Sequence, residues 1–184
     1  MIVRETSLPG VVLIELAAFS DERGFFLETW HEARYREAGL PTAFVQDNVS
    51  RSRQGVVRGL HFQEPQAQGK LVSALEGEIY DVAVDVRVGS PRFGSWMGSV
   101  LSDRNHHQLY IPEGFAHGFC VVSETALVSY KCTRPYLPRA ERTLLWNDPG
   151  IGIPWPVERP RVSANDAAGK PLRELADQGL LPRY

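Results

Sequence analysis

Gly77-Glu78-Ile79-Tyr80-Asp81-Val82-Ala83-Val84-Asp85-Val86-Arg87 decides the fold class, because its side chains sort by twos. Tyr80, Val82, Val84 and Val86 fall on one side and Ile79, Asp81, Ala83, Asp85 and Arg87 on the other, the period of a strand rather than of a helix. The pattern predicts one packed face and one partly polar face. Similar β-rich runs recur at Val11–Leu16, Phe25–Thr29, Ala43–Val49, Val56–Phe62, Leu71–Leu75, Trp96–Leu101, Gln108–Ile111, Phe119–Val122 and Ala126–Cys132. Gly, Pro, Asn, Asp and Ser fill the gaps, which predicts an all-β sandwich or barrel and not alternating βαβ units. Helices are predicted only over His31–Ala38, stopped by Gly39 and Pro41, and over Leu172–Asp177.

The 184 residues carry 43% apolar and 23% charged side chains, with no internal repeat and no linker-like tract. That composition predicts a single domain over residues 1–184, with the Pro-rich stretch from residue 149 leading an ordered tail (150–184) across the body. A net charge of −2 with scattered basic residues lacks the electrostatic footprint of a duplex nucleic-acid or anionic-membrane binder, and points to small anions held by placed arginines. No run has signal-peptide or membrane-spanning character, which predicts a cytoplasmic protein. Cys120 and Cys132 lie in apolar strand segments without paired metal spacing and read as reduced core thiols.

The chemistry concentrates in Arg58-Gly59-Leu60-His61-Phe62-Gln63-Glu64-Pro65-Gln66-Ala67-Gln68-Gly69-Lys70, where one histidine in an apolar strand is flanked by an arginine and a lysine. A proton acceptor between two cations suits removal of a carbon-bound proton and stabilisation of the oxyanion it leaves. A lone strand histidine is as often a structural residue, and only the company of Arg58 and Lys70 singles out His61. His117 is delivered onto a strand by the turn in Ile111-Pro112-Glu113-Gly114-Phe115-Ala116-His117, a context that purely structural histidines share. The adjacent His106 and His107 would point to opposite sides of a strand and read as solvent-facing, while His31 opens the helix. The two histidine segments look like worn versions of the paired metal motifs of cupin barrels. Gln63 stands where a second histidine ligand belongs, and Lys70 puts an ammonium where an ion would be held, so neither metal nor other cofactor is expected.

In this order, Asp21-Glu22-Arg23-Gly24-Phe25-Phe26-Leu27-Glu28, Gln46-Asp47-Asn48-Val49-Ser50, the Arg58–Lys70 block, the Asp81–Arg87 strand, the His117 turn, Trp146-Asn147-Asp148-Pro149 and Ser163-Ala164-Asn165-Asp166 carry a resemblance. From about Gly10 to Asp166 the chain resembles the dTDP-4-dehydrorhamnose 3,5-epimerase family. The resemblance implies a cupin-type jelly roll with a few short peripheral helices, and a homodimer acting on a dTDP-linked 4-keto-6-deoxyhexose. It makes His61 the base that takes protons from C5 and C3, Asp166 its orienting partner, Lys70 the cation beside the ketone oxygen with His117 nearby, and Tyr130 the acid on the opposite face. It also implies substrate-binding roles. Arg23 and Arg58 would hold the diphosphate, Gln46 and Asn48 sugar or base edges, Glu28 and Glu141 the thymidine or its sugar, with Tyr136 against the base and Phe25 in the pocket wall. By residue type alone Tyr130 is a core strand tyrosine, and Glu28 and Glu141 are solvated carboxylates. The segment Met1–Leu8 looks suited to joining a neighbour's sheet.

Two positions depart from the family pattern: Phe62, where tyrosine is usual, and Asn165, where a lysine often precedes the aspartate, with Arg161 and Lys170 as nearby replacements. The same set of His, Asp, Lys and Tyr also occurs in relatives that invert only C3 or only C5 in antibiotic-sugar pathways. A non-catalytic nucleotide-sugar-binding cupin and a metal-dependent cupin oxygenase or isomerase are the other classes the pattern allows.

Overall fold

In the computed structural model, which describes residues 1–184, the chain runs through Ile2–Glu5 (β1), Val12–Glu15 (β2), Ala18–Asp21 (β3), Gly24–Leu27 (β4), helix Glu32–Glu37 (α1), Gln46–Arg53 (β5), Val57–Gln63 (β6) and Lys70–Glu76 (β7). It continues through Glu78–Asp85 (β8), Trp96–Ser102 (β9), His107–Ile111 (β10), Phe115–Val121 (β11), Thr125–Cys132 (β12), Glu141–Thr143 (β13), and helices Ala164–Ala167 (α2) and Leu172–Asp177 (α3). One sheet has the order β1-β2-β10-β7-β12-β5 and the other β13-β6-β11-β8-β9, with every strand pair antiparallel. The interleaving of distant strands makes this the jelly roll that the alternating runs imply. No helix is long and apolar enough to cross a membrane, and both cysteines are buried and unpaired.

Side chains from both sheets meet in a core that includes Val72, Ile79, Leu101, Leu109, Phe115, Phe119 and Val128. The back of the second sheet is covered as well. There Leu60, Phe62, Val82, Val84 and Val86 pack against Leu172, Leu175 and Leu181 of the C-terminal tail, with Trp155 alongside. Each such leucine contributes about 2 kcal/mol when taken from water, which is enough to hold the tail down. Both faces of β8 are therefore buried, contrary to the expectation of one packed and one partly polar face: Asp81 and Asp85 are fully enclosed. Asp85 accepts from Arg87 at 2.7 Å and from the Ser90 hydroxyl at 2.6 Å, and Asp81 Oδ1 lies 2.8 Å from His117 Nε2.

Other local readings shift for tertiary reasons. The strand expected at Ala43–Val49 starts at Gln46 and runs to Arg53, because β5 pairs with β12 along that whole length. His106 is not on a strand: it has a φ of 52° in the turn before β10, and its partly buried ring lies 4.9 Å from that of Phe25 rather than facing solvent. His107, half-buried, pairs opposite Glu15. Residues Ile2–Glu5 of the Met1–Leu8 segment form β1, paired with β2 at the edge of the first sheet. The β3–β4 hairpin belongs to neither large sheet and leaves Phe19, Phe25 and Phe26 exposed.

Candidate active site

The site begins with an irregularity in the pairing of β6 and β11. His61 faces His117, but Arg58 faces Phe119, so one extra residue is accommodated on β6. In a regular strand Arg58 and His61 would point to opposite faces; the bulge turns both into one cavity. Gly59 lies within it at a φ of 109°, and a Cβ there would fall 2.6 Å from Gly118 Cα and 2.6 Å from the His117 carbonyl oxygen. Only glycine fits that close approach. On the other side of β11, Phe119 is opposite Asp81 and His117 opposite Ala83, so His117 and Asp81 are diagonal neighbours on the same face.

The facing sheet supplies the second half. Lys70 is opposite Cys132, Tyr130 is opposite both Val72 and Asn48, and Gln46 is opposite Cys132, which places Lys70, Tyr130, Asn48 and Gln46 on one inner face. Val49 points away and is exposed. Between the sheets lies a cavity of about 620 Å³ lined by Arg58, His61, Lys70, His117, Tyr130, Tyr136, Glu141 and Asp166. An adjoining cavity of about 260 Å³ shares His61, Lys70, Tyr130, Tyr136 and Glu141 and adds Gln46 and Asn48. The combined space is of the size that takes a small organic ligand.

Asp166 reaches this cavity on α2, which the sequence reading did not anticipate; the Ser163 hydroxyl caps the helix by accepting from the Asp166 backbone N–H at 3.1 Å. His61 Nε2 lies 2.6 Å from Asp166 Oδ1. Burial by itself would raise the Asp166 pKa, but the bond to His61, helped by Ser163 and the Gly59 backbone, outweighs it and holds the carboxyl below its usual range. The carboxylate thus accepts the Nε2 proton and leaves Nδ1 of His61 as the proton-accepting nitrogen. Lys70 is 9% exposed, and its Nζ approaches the His61 carbonyl oxygen at 3.5 Å. Burial lowers its pKa, against the opposing pull of Cys132, Asp81 and Glu141. The Tyr130 hydroxyl is pushed up, chiefly by burial, so it stays a phenol. Such a set can take a proton from carbon, hold an oxyanion and return a proton from the other sheet.

Around these groups, Arg58 Nε donates to Ser52 Oγ at 3.0 Å, which fixes the guanidinium while its terminal nitrogens remain available. Gln46 donates to Asn48 at 2.9 Å and accepts from the Tyr136 backbone N–H at 2.8 Å, and the Tyr136 hydroxyl donates to Glu141 at 3.0 Å. Gln63 is used structurally, donating to the Gln66 carbonyl at 2.9 Å and accepting from the Leu137 N–H at 2.7 Å. No three His, Cys, Asp or Glu side chains converge as metal ligands, and each of the two site histidines directs Nε2 at its own carboxylate.

Three expected residues are not brought into this cavity by their own chain. Arg23 pairs with Asp21, Phe25 packs on His106, and Glu28 accepts from Arg34 at 2.6 Å. The cause is the hairpin and the segment after it, which stand apart from the two sheets. Of the two replacements for the missing lysine, Arg161 lines the cavity beside Asn165, whereas Lys170 is held by Glu174 at 3.0 Å and Gln178 at 2.8 Å. Phe62 packs on the back of the sheet with the tail. Asp81, Ser50 and Thr143 were overlooked; only Asp81 had a signal, as a charge inside an otherwise apolar strand.

The family model described as dTDP-4-dehydrorhamnose 3,5-epimerase matches residues 5–174. The dTDP-4-dehydrorhamnose 3,5-epimerase of Neisseria gonorrhoeae is 52% identical over 92% of this chain, which spans 52% of that relative's length. Its namesake in Salmonella typhimurium is 51% identical over 98% of both chains. The solved structure of dTDP-6-deoxy-D-glucose-3,5-epimerase from Legionella pneumophila, in complex with dTDP-4-keto-L-rhamnose, is 50% identical, covers 100% of this chain and 98% of its own, and superposes with a TM-score of 0.95. Fold, cavity and sequence agree, and the chain belongs to the dTDP-4-dehydrorhamnose 3,5-epimerase family.

Proposed function

We propose that His61, paired with Asp166, removes the C5 and C3 protons of a dTDP-linked 4-keto-6-deoxyhexose, and that Tyr130 returns a proton from the opposite face. The chain is a carbohydrate epimerase, an isomerase that inverts C3 and C5 of dTDP-4-dehydro-6-deoxy-glucose to give dTDP-4-dehydro-L-rhamnose. The observation that carries the mechanism is the 2.6 Å contact of His61, on one sheet, with Asp166 of α2, across the cavity from Tyr130 and Lys70 on the other sheet. The carbon-bound proton passes to His61 Nδ1, the C–H electron pair becomes the enolate double bond, and the charge collects on O4, where the Lys70 ammonium donates to it. The Tyr130 phenol then gives its proton to carbon. Exchange with solvent restores both groups before the second centre reacts.

The diphosphate is assigned to Arg58 and Arg161, whose planar guanidinium groups suit phosphate oxygens. The nucleoside end is assigned to Tyr136, Glu141, Gln46 and Asn48, which line the adjoining cavity. Arg23, Phe25 and Glu28 are assigned to the cavity of a second copy in a homodimer. The support for this is that the hairpin exposes Phe19, Phe25 and Phe26 while its own chain's cavity does not include Arg23, Phe25 or Glu28. The test is deuterium uptake from heavy water into the 4-keto sugar nucleotide with EDTA present. Label at C3 and C5 in the wild-type protein and at neither carbon in His61→Ala is expected. Appreciable exchange in the variant would remove His61 from the role of base, and label at one carbon only would make the chain a mono-epimerase.

A further inference from the structure

Between the end of β12 at Cys132 and the short helical turn Pro138–Ala140 the chain has no ladder partner: Arg134, Pro135 and Tyr136 make no backbone–backbone hydrogen bond. Glutamine side chains take the place of a neighbouring strand. Gln68 Nε2 donates to the Arg134 carbonyl at 2.7 Å and Gln63 Nε2 to the Pro135 carbonyl at 3.3 Å. Gln46 Oε1 accepts from the Tyr136 N–H at 2.8 Å, and Gln63 Oε1 from the Leu137 N–H at 2.7 Å. These glutamines come from the start of β5, the end of β6 and the loop before β7, so the segment is gripped from both sheets. Gln63 is the centre of the grip. It is 3% exposed, donates also to the Gln66 carbonyl at 2.9 Å, and so has no donor left for a ligand although it lines the adjoining cavity. A carboxylate in its place would have acceptors only, facing two carbonyl oxygens out of water.

The loop held in this way carries Tyr136, which is 46% exposed, lines both cavities and donates its hydroxyl to Glu141 at 3.0 Å. An exposed aromatic on a segment without backbone pairing has no fixed position unless side chains from outside supply it. We propose that Gln63 and Gln68, together with Gln46, are positioning residues for nucleoside recognition: they clamp the Arg134–Leu137 loop so that the Tyr136 ring stands preformed at the nucleoside end of the cavity. Ordering the ring before the ligand arrives removes that cost from binding. The inference rests on the assignment of the nucleoside end to Tyr136 made above, and it gives Gln46 a second role, since its Oε1 is taken by the loop.

The test is calorimetric binding of dTDP and of inorganic pyrophosphate to the wild-type protein and to Gln63→Glu, Gln68→Ala and Tyr136→Ala. Pyrophosphate carries the diphosphate without the nucleoside, so it reports on the arginines alone. Gln63→Glu is expected to weaken dTDP about tenfold and Gln68→Ala, which removes a single exposed bond, about threefold, with pyrophosphate affinity unchanged in both. KM for the sugar nucleotide should rise by the same factors, and kcat should change less than KM. Adding Gln68→Ala to Tyr136→Ala should bring no further loss, because the clamp acts through that ring. Equal weakening of dTDP and pyrophosphate would make the glutamines merely structural and overturn the inference, as would additive losses in the double variant. If Gln63→Glu does not fold, Gln68→Ala and the double variant decide by themselves. Unchanged dTDP affinity in Tyr136→Ala would remove the nucleoside assignment and the inference together, whereas a loss there with none in the glutamine variants removes the inference only.

Discussion

Replacing Gly59 by alanine tests whether the bulge in β6 builds the site. The added Cβ would meet Gly118 Cα and the His117 oxygen at 2.6 Å, where ordinary contacts begin near 3.4 Å, so the two strands must part by about 0.8 Å. The backbone φ of 109° adds strain of its own for an L-residue. About 1–2 kcal/mol for the φ and about 1–3 kcal/mol for the overlap give a loss of about 2–5 kcal/mol. For a chain of this length such a loss lowers Tm by roughly 10 °C, which a domain stable by about 5–15 kcal/mol survives. The rate should suffer more. A shift near 1 Å in the strand that carries His61 is expected to lower kcat about 100-fold. Gly39→Ala is the control: its φ is 74°, but a Cβ there has nothing within 4 Å, so the cost is about 1 kcal/mol and the rate is unchanged. Thermal denaturation and initial rates on the two variants decide the matter. Equal losses in both, or full activity in Gly59→Ala, would refute the argument that strand contact at the bulge sets the position of His61.

Tyr130→Phe removes the phenol proton but keeps the ring; epimerised product should fall about 100-fold while label exchange at carbon is partly retained, and a parallel fall of both would show that Tyr130 positions the sugar instead. Asp166→Asn should lower kcat about 100-fold or more by releasing the His61 tautomer. Because the folded-state pKa of Asp166 is depressed, its stabilisation is present above its unfolded value, about 4, and is lost as pH falls through the lower folded value. Acid unfolding of Asp166→Asn should accordingly lose part of its pH dependence below about pH 4, and an unchanged profile would contradict the assignment.

The two-residue alternation in Gly77–Arg87 and the spaced β runs are local properties, so the all-β class was legible from them. What the alternation could not say was that both faces are buried, since that depends on a tail some ninety residues away closing over Val82, Val84 and Val86. The same limit applied to the site. Arg58, His61 and Lys70 were readable together because they are close in sequence, yet strand parity alone would send Arg58 and His61 to opposite faces. The extra residue that corrects this is visible only against β11. Asp166 could be linked to His61 only through resemblance, because the two lie 105 positions apart and the chain between them carries no local sign of the contact. Arg23, Phe25 and Glu28 show the converse, since a motif marks a residue without saying whether its own chain's cavity receives it.

Inversion at carbon requires the proton to leave from one face and return to the other, and the jelly roll supplies two faces as two different sheets. His61 stands on the sheet of β6, Tyr130 on the sheet of β12, and the space between packed sheets is about 10 Å across before side chains fill it. A base and an acid on neighbouring positions of one strand pair would approach the same face of the sugar and return the proton to the side it came from. Lys70 crosses from the Tyr130 sheet to within 3.5 Å of the His61 backbone, and in the mechanism proposed above that puts the oxyanion where base and acid reach the adjacent carbons. On that mechanism neither group needs to move between the two transfers. The sugar ring is the part that must turn, and strands that hold base, acid and cation rigid leave that turn as the step on which the choice between one and two inverted centres depends.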